Sequence, residues 1–120
     1  QVFLFTDSAT SDIIRNFLET APQWAIVVFY FLTIILIPIF EELLFRGLLW
    51  KLFSYFLSTR NVAIVIAIMF AFAHTWQTAL LLVPFSIYLS FLRVKHDSLK
   101  PGIASHIAFN ATGLLLPLLF

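Results

Sequence analysis

From Trp24 to Phe40 the chain reads WAIVVFYFLTIILIPIF, a run without a charged side chain. Further apolar runs follow: LLFRGLLWKLFSYFL from Leu43, VAIVIAIMFAFAH from Val62, ALLLVPFSIYLSFL from Ala79 and GIASHIAFNATGLLLPLLF from Gly102. A soluble domain covers itself with polar side chains, about a quarter of its residues being charged. Here 62% of residues are hydrophobic and 11% charged, so lipid is the expected solvent. A bilayer span takes roughly 20 apolar helical residues. The shorter runs must therefore extend into flanking polar residues or sit sunken in the membrane. The expected class is all-α, a polytopic transmembrane helical bundle.

The first two runs pose a choice. As one helix from Trp24 to Leu57 they would be about 51 Å long, well beyond a hydrocarbon core of about 30 Å. As a hairpin they would need a turn at PIFEE, Pro38 to Glu42, where no Gly, Asn or Ser stands to make one. One long helix bent near Pro38 is favoured, leading a four-helix core over residues 23–120. Residues 1–22 read as a connector or an interfacial amphipathic segment. There Ser11 or Asp12 would cap a helix whose Ile13, Ile14, Phe17 and Leu18 oppose Arg15 and Glu19. The chain starts at Gln1 without signal-peptide features, as expected of a piece of a longer polytopic protein.

Charge placement orients the helices. Arg60 lies in one connection and Arg93, Lys95 and Lys100 in another, while TWQT between them is uncharged. Up-and-down threading puts both basic connections on the cytoplasmic side. Measured from there, Glu42 lies about 22 Å deep, His74 about 20 Å and His106 about 9 Å. The overall balance of 7 basic and 6 acidic residues offers nothing to nucleic acid. With no cysteine, disulfides, thiolate metal sites and a cysteine nucleophile are excluded.

Against this background IFEELLFRGLLW, Ile39 to Trp50, stands out, because an ionisable group in hydrocarbon costs several kcal/mol unless it is paired or faces a cavity. Glu42 and Arg46 share a helix face at i,i+4, as do Phe70 and His74, and His106 and Asn110. Glu41 points about 100° away from Glu42. One carboxylate can thus be neutralised by Arg46 while the other faces an interior cavity. Two histidines and a carboxylate from three helices are the groups that hold zinc or activate a water by base catalysis. Each also has an ordinary reading: Glu42 with Arg46 as a structural ion pair, each histidine as a packing residue, Phe70 as core. Gly47 and Gly102 suit close helix approach. His96 reads as solvated, and Trp24, Trp50 and Trp76 as interfacial anchors. Ser86, Ser90 and Ser105 find no obvious triad partners.

EELLFR (Glu41 to Arg46), FAFAH (Phe70 to His74) and HIAFN (His106 to Asn110) resemble the ordered motifs EExxxR, FxxxH and HxxxN of the CPBP intramembrane protease family, which includes the type II CAAX prenyl proteases. LKPGIASH, before and into the last motif, is also similar. The resemblance implies a multi-pass integral membrane endopeptidase, in the cell membrane if the source is prokaryotic. Its cavity would be lined by Glu41, His74, His106 and Asn110, supported by Glu42, Arg46 and Phe70. Its substrate would be a membrane-associated peptide or protein, prenylated or drawn from bacteriocin maturation and immunity. Two mechanisms are implied. In one, Glu41, His74 and His106 hold zinc. In the other, Glu41 with His74 deprotonates water while His106 and Asn110 stabilise the oxyanion. A proton- or ion-coupled transporter, expected to carry inverted repeats, and a silent membrane scaffold are the competing classes.

Overall fold

The computed structural model describes residues 8–116; the parts of the expected first and last segments that fall on 1–7 and 117–120 lie outside the described residues. The described residues are helical, with no strand: α1 Ser8–Thr20, α2 Gln23–Phe53, α3 Thr59–Phe72, α4 Trp76–His96 and α5 Lys100–Leu115. The breaks sit where the chemistry puts them. Pro22, Ser58 and Thr75 are extended residues preceding α2, α3 and α4. Thr75 Oγ1 meets Thr78 Oγ1 at 2.8 Å across the first turn of α4. Asp97 ends α4 at φ 45°, a left-handed conformation that Asp tolerates better than most residues. Pro101 lies in the first turn of α5, where its missing N–H costs nothing.

The segment Trp24 to Phe53 is one continuous helix, with no hairpin at PIFEE. It passes Pro38 by widening into a π-helical stretch, Leu32–Leu36, and it widens again over Leu43–Leu49. Proline lacks an N–H and clashes with the carbonyl four residues back. The Ile37 N–H bonds Leu32 O instead of Thr33 O, and Pro38 has no hydrogen to offer in its place. The Thr33 carbonyl is taken up from α5, by Asn110 Nδ2 at 3.0 Å. At the second stretch the Trp50 N–H bonds Phe45 O and Gly47 O and passes over Arg46 O. That carbonyl accepts Arg93 Nε from α4 at 3.3 Å. Both π-helical stretches thus become points where a neighbouring helix is fastened.

The interior is mixed and much of the surface is apolar. Phe45, Trp50, Val62, Ile66 and Phe70 form an apolar cluster between α2 and α3, and Ala71, Ala79 and Leu82 form another between α3 and α4. Beside them, fully enclosed, lie Glu42, Arg46, Ser86, Ser90 and His106. The outer surface carries Val27, Phe31, Leu48, Leu80 and Leu81. α2 and α4 are each long and apolar enough to cross a membrane, and only 6% of the most apolar window of α2 is buried within the protein. A soluble core helix would bury most of that window, so α2 offers its apolar face to lipid. α3 is a shorter apolar helix.

Two local expectations need correction. Trp50 is not an interfacial anchor: it is 7% exposed, packed in the α2–α3 cluster with the Arg93 guanidinium 5.8 Å from its ring centre. Arg93 and the cluster enclose it, whereas Trp24 and Trp76 are outward at 71% and 69%. Ser8 is already helical, so Ser11 and Asp12 lie within α1 instead of capping it. None of its residues is buried, and it meets α2 through Phe17 and Phe29, ring centres 5.5 Å apart.

Ile66 is fully enclosed. Ile66→Ala should therefore lower thermal stability in detergent by about 2–5 kcal/mol, while Leu48→Ala on the outer face should leave the unfolding temperature nearly unchanged.

Candidate active site

The site is organised by a buried ion pair. Arg46 Nη1 bonds Glu42 Oε1 at 3.1 Å, with side-chain exposures of 0% and 1%. Taking two charges out of water is repaid only when geometry and further hydrogen bonds are good. Arg46 Nη2 donates to Ser86 O at 2.8 Å and Ser86 Oγ at 2.7 Å, and the guanidinium carbon lies 4.6 Å from the centre of the Phe70 ring. On the carboxylate side α5 comes very close. A Cβ added to Gly102 would stand 3.0 Å from Glu42 Oε2, so glycine is what permits this approach. The approach carries His106 to Glu42, Nδ1 to Oε1 at 3.1 Å.

Glu41, one residue earlier, points elsewhere. Its Oε2 lies 3.3 Å from His106 Nε2 and its Oε1 3.9 Å from His74 Nε2. Helices α2 and α5 and the turn that follows α3, where His74 lies just past the helix the sequence placed it on, thus bring Glu41, His106 and His74 to one place. Glu41 is 25% exposed and His74 32%, against 4% for His106, so the cluster is open on the Glu41 and His74 side and closed behind His106. Each imidazole is anchored through its other nitrogen. His74 Nδ1 donates to Phe70 O at 3.0 Å, and His106 Nδ1 donates to the Glu42 carboxylate. Both Nε2 atoms therefore face the Glu41 carboxylate.

Aromatic rings close the back of the site. Phe70 is 1% exposed, and its ring lies 5.2 Å from that of His74 and 5.4 Å from that of His106. Phe85 meets His106 edge-on at 5.6 Å and stacks on Phe109 at 4.0 Å. Phe70 is therefore core, as its burial suggests, and also the wall between the guanidinium and the two imidazoles. Asn110 stands one turn beyond His106, with its amide nitrogen on Thr33 O. That bond engages one of its two N–H groups.

Sequence reasoning missed Ser86 and Phe85. Ser86 was unassigned because no motif contains it, and a long-range bond spanning 40 positions leaves no local pattern. Phe85 was one phenylalanine among fifteen.

The donor types suit zinc: two imidazole nitrogens whose ring partners are held by a carbonyl and by the Glu42 carboxylate, plus the Glu41 carboxylate as the third donor. Among the described residues, however, no three His, Asp or Glu side chains meet in an arrangement that could hold a metal ion. The cluster as it stands offers proton acceptors converging on one open point, walled by aromatic rings.

An all-helical, lipid-facing domain with carboxylate and imidazole groups enclosed among its helices defines a class of membrane-embedded proteins with polar chemistry inside. The sequence profile of one such family, the Rce1-like type II CAAX prenyl endopeptidases, matches residues 22–112, more than half of the chain, and the chain belongs to that family. It is a family of membrane-integral proteases, in agreement with the three motifs. Searches of curated proteins and of solved structures find no significant match.

The two adjacent glutamates should behave differently on substitution. Glu42→Gln strands the enclosed Arg46 cation and should cost about 3–5 kcal/mol of stability, read as a lowered unfolding temperature in detergent. Glu41→Gln should fold and melt much as the parent does.

Proposed function

We propose that the chain is an intramembrane endopeptidase whose chemistry is carried by Glu41, His74, His106 and Asn110. The observation that bears most weight is the convergence of Glu41 on both imidazole Nε2 atoms, at 3.3 and 3.9 Å, in an otherwise apolar interior. Helices α2 to α5 form a four-helix, multi-pass core, and the basic residues expected in connections, Arg60 in the first turn of α3, Arg93 and Lys95 in the last turn of α4 and Lys100 at the start of α5, lie at helix ends on the cytoplasmic side. The positive-inside tendency and the shared end of the bundle support that orientation. The substrate class is a membrane-associated protein or peptide carrying a prenylated CAAX-type end, the substrate for which the family is described.

In this reading a water molecule sits on the open side of the cluster. Glu41 accepts one of its protons, assisted by His74, as the water oxygen attacks the scissile carbonyl carbon. The carbonyl oxygen gains negative charge, which is offset by the N–H of Asn110 not held by Thr33, while His106 Nε2 accepts the other hydrogen of the water. Glu41 returns its proton to the amide nitrogen as the C–N bond breaks, and the products are a carboxylate and an amine. Glu42 holds the His106 ring, and Arg46 holds Glu42. Glu41, His74 and His106 have the donor chemistry of zinc ligands, but their arrangement supports proton chemistry by the side chains themselves, and no step is assigned to a metal.

Purified protein in detergent or liposomes should cleave a farnesylated CAAX-type peptide. Glu41→Gln, His74→Ala and His106→Ala should each abolish cleavage while remaining folded. Asn110→Ala should lower kcat more than it raises KM, by a factor equivalent to about 3 kcal/mol for one oxyanion donor. Cleavage should survive chelators. Loss of activity on chelation, restored by zinc, would move the mechanism to a metal held by Glu41, His74 and His106; full activity of both histidine variants would remove the site altogether.

A further inference from the structure

Glu42 Oε1 accepts hydrogen bonds from two groups, Arg46 Nη1 and His106 Nδ1, each at 3.1 Å. The other carboxylate oxygen, Oε2, has no hydrogen-bond partner. The orientation of this carboxylate, and with it the anchoring of the His106 ring, therefore depends on where the guanidinium is held. Arg46 Nε likewise lacks a partner. The far side of the guanidinium is fixed by Nη2 alone, on the hydroxyl and carbonyl of Ser86 at 2.7 and 2.8 Å. Ser86 is fully enclosed, so no water competes for this contact.

We propose that Ser86, which lies outside all three motifs, is a positioning residue for the catalytic cluster. Its hydroxyl fixes Arg46, Arg46 fixes the Glu42 carboxylate, and Glu42 keeps the ring proton of His106 on Nδ1 so that Nε2 faces Glu41. The contact crosses from α4 to α2 and acts on α5, so a substitution on α4 reaches a residue it does not touch. The kinetic consequence rests on the endopeptidase reading; the consequence for the His106 ring does not.

Ser90 provides an internal comparison. It lies one turn further along α4, is 1% exposed, and its hydroxyl has no hydrogen-bond partner. A serine that merely fills space in α4 would behave as Ser90 does. Removing an unpartnered buried hydroxyl is close to neutral or stabilising, whereas removing an acceptor from a buried cation is not.

The test uses the full chain in detergent micelles with nitrogen-15-labelled histidine. The three histidines can be assigned separately, and exposed His96 serves as reference. In the parent protein His106 should give the spectrum of a single tautomer protonated on Nδ1. Ser86→Ala should shift it toward a mixture of tautomers, with His96 unmoved. On a farnesylated CAAX-type peptide the same variant should lose about tenfold or more in kcat with KM little changed, the factor carried by one hydrogen bond to a charged group. Ser90→Ala should alter neither reading. Ser86→Cys, which keeps the shape with a weaker acceptor, should fall between parent and alanine variant, and it stands in for Ser86→Ala if that variant does not fold.

An unchanged His106 spectrum in the Ser86 variants, an unchanged kcat, or equal effects from Ser90→Ala would overturn the proposal. If the parent protein does not cleave the peptide, the endopeptidase reading fails for that substrate class, and the spectra still decide the role of Ser86.

Discussion

A charge pair enclosed in a membrane-type interior sets the terms for everything around it. Glu42 and Arg46 cannot reach water, so each must be satisfied by protein. The groups that do this come from the other helices: Ser86 and the Phe70 ring on the cation, His106 on the carboxylate. Gly102 is small because the carboxylate lies against α5. The helices are thus held in register by polar contacts inside and apolar packing around them. Polar contacts of this kind inside the helices suit a solvent that gives no hydrophobic drive for helix association.

Adjacent positions on α2 divide the labour. Glu42 faces inward and is consumed in structure, whereas Glu41, rotated round the helix, stands at 25% exposure and meets both Nε2 atoms. The apolar wall of Phe70 and Phe85 limits the partners His106 can find. Low polarity around the cluster strengthens each remaining electrostatic contact.

Much of this was legible in the sequence because the solvent constrains it so strongly. Runs without charge specify helices, and an ionisable group inside such a run must have a partner. The i,i+4 spacing of Glu42 and Arg46 named that partner, and the absence of turn residues at PIFEE favoured one helix over the hairpin. The three motifs brought Glu41, His74 and His106 to one cluster. Their spacing carried Asn110 less far, since its side-chain amide bonds Thr33 O rather than the other three. Contacts between helices were not legible. Ser86 meets Arg46 across 40 positions, and Trp50 looked like an interfacial anchor because its burial depends on the placement of α3 and Arg93. Nor did Pro38 announce how it would be accommodated, since a kink, a tilt and a widened turn all relieve the same clash.

The widened turns bear on how such a chain is made. A helix entering the bilayer alone must close its own backbone ladder, because hydrocarbon offers no substitute donor. Pro38 denies α2 that closure however the turn is wound: with its N–H missing, one carbonyl in the preceding turn is left over. In the assembled protein the remainder falls on Thr33, and the donor that settles it arrives with Asn110, 77 positions later and on the last described helix. The hydrogen bonding of α2 is therefore completed by α5, and seating α5 against α2 and satisfying the backbone beside Pro38 are the same contact.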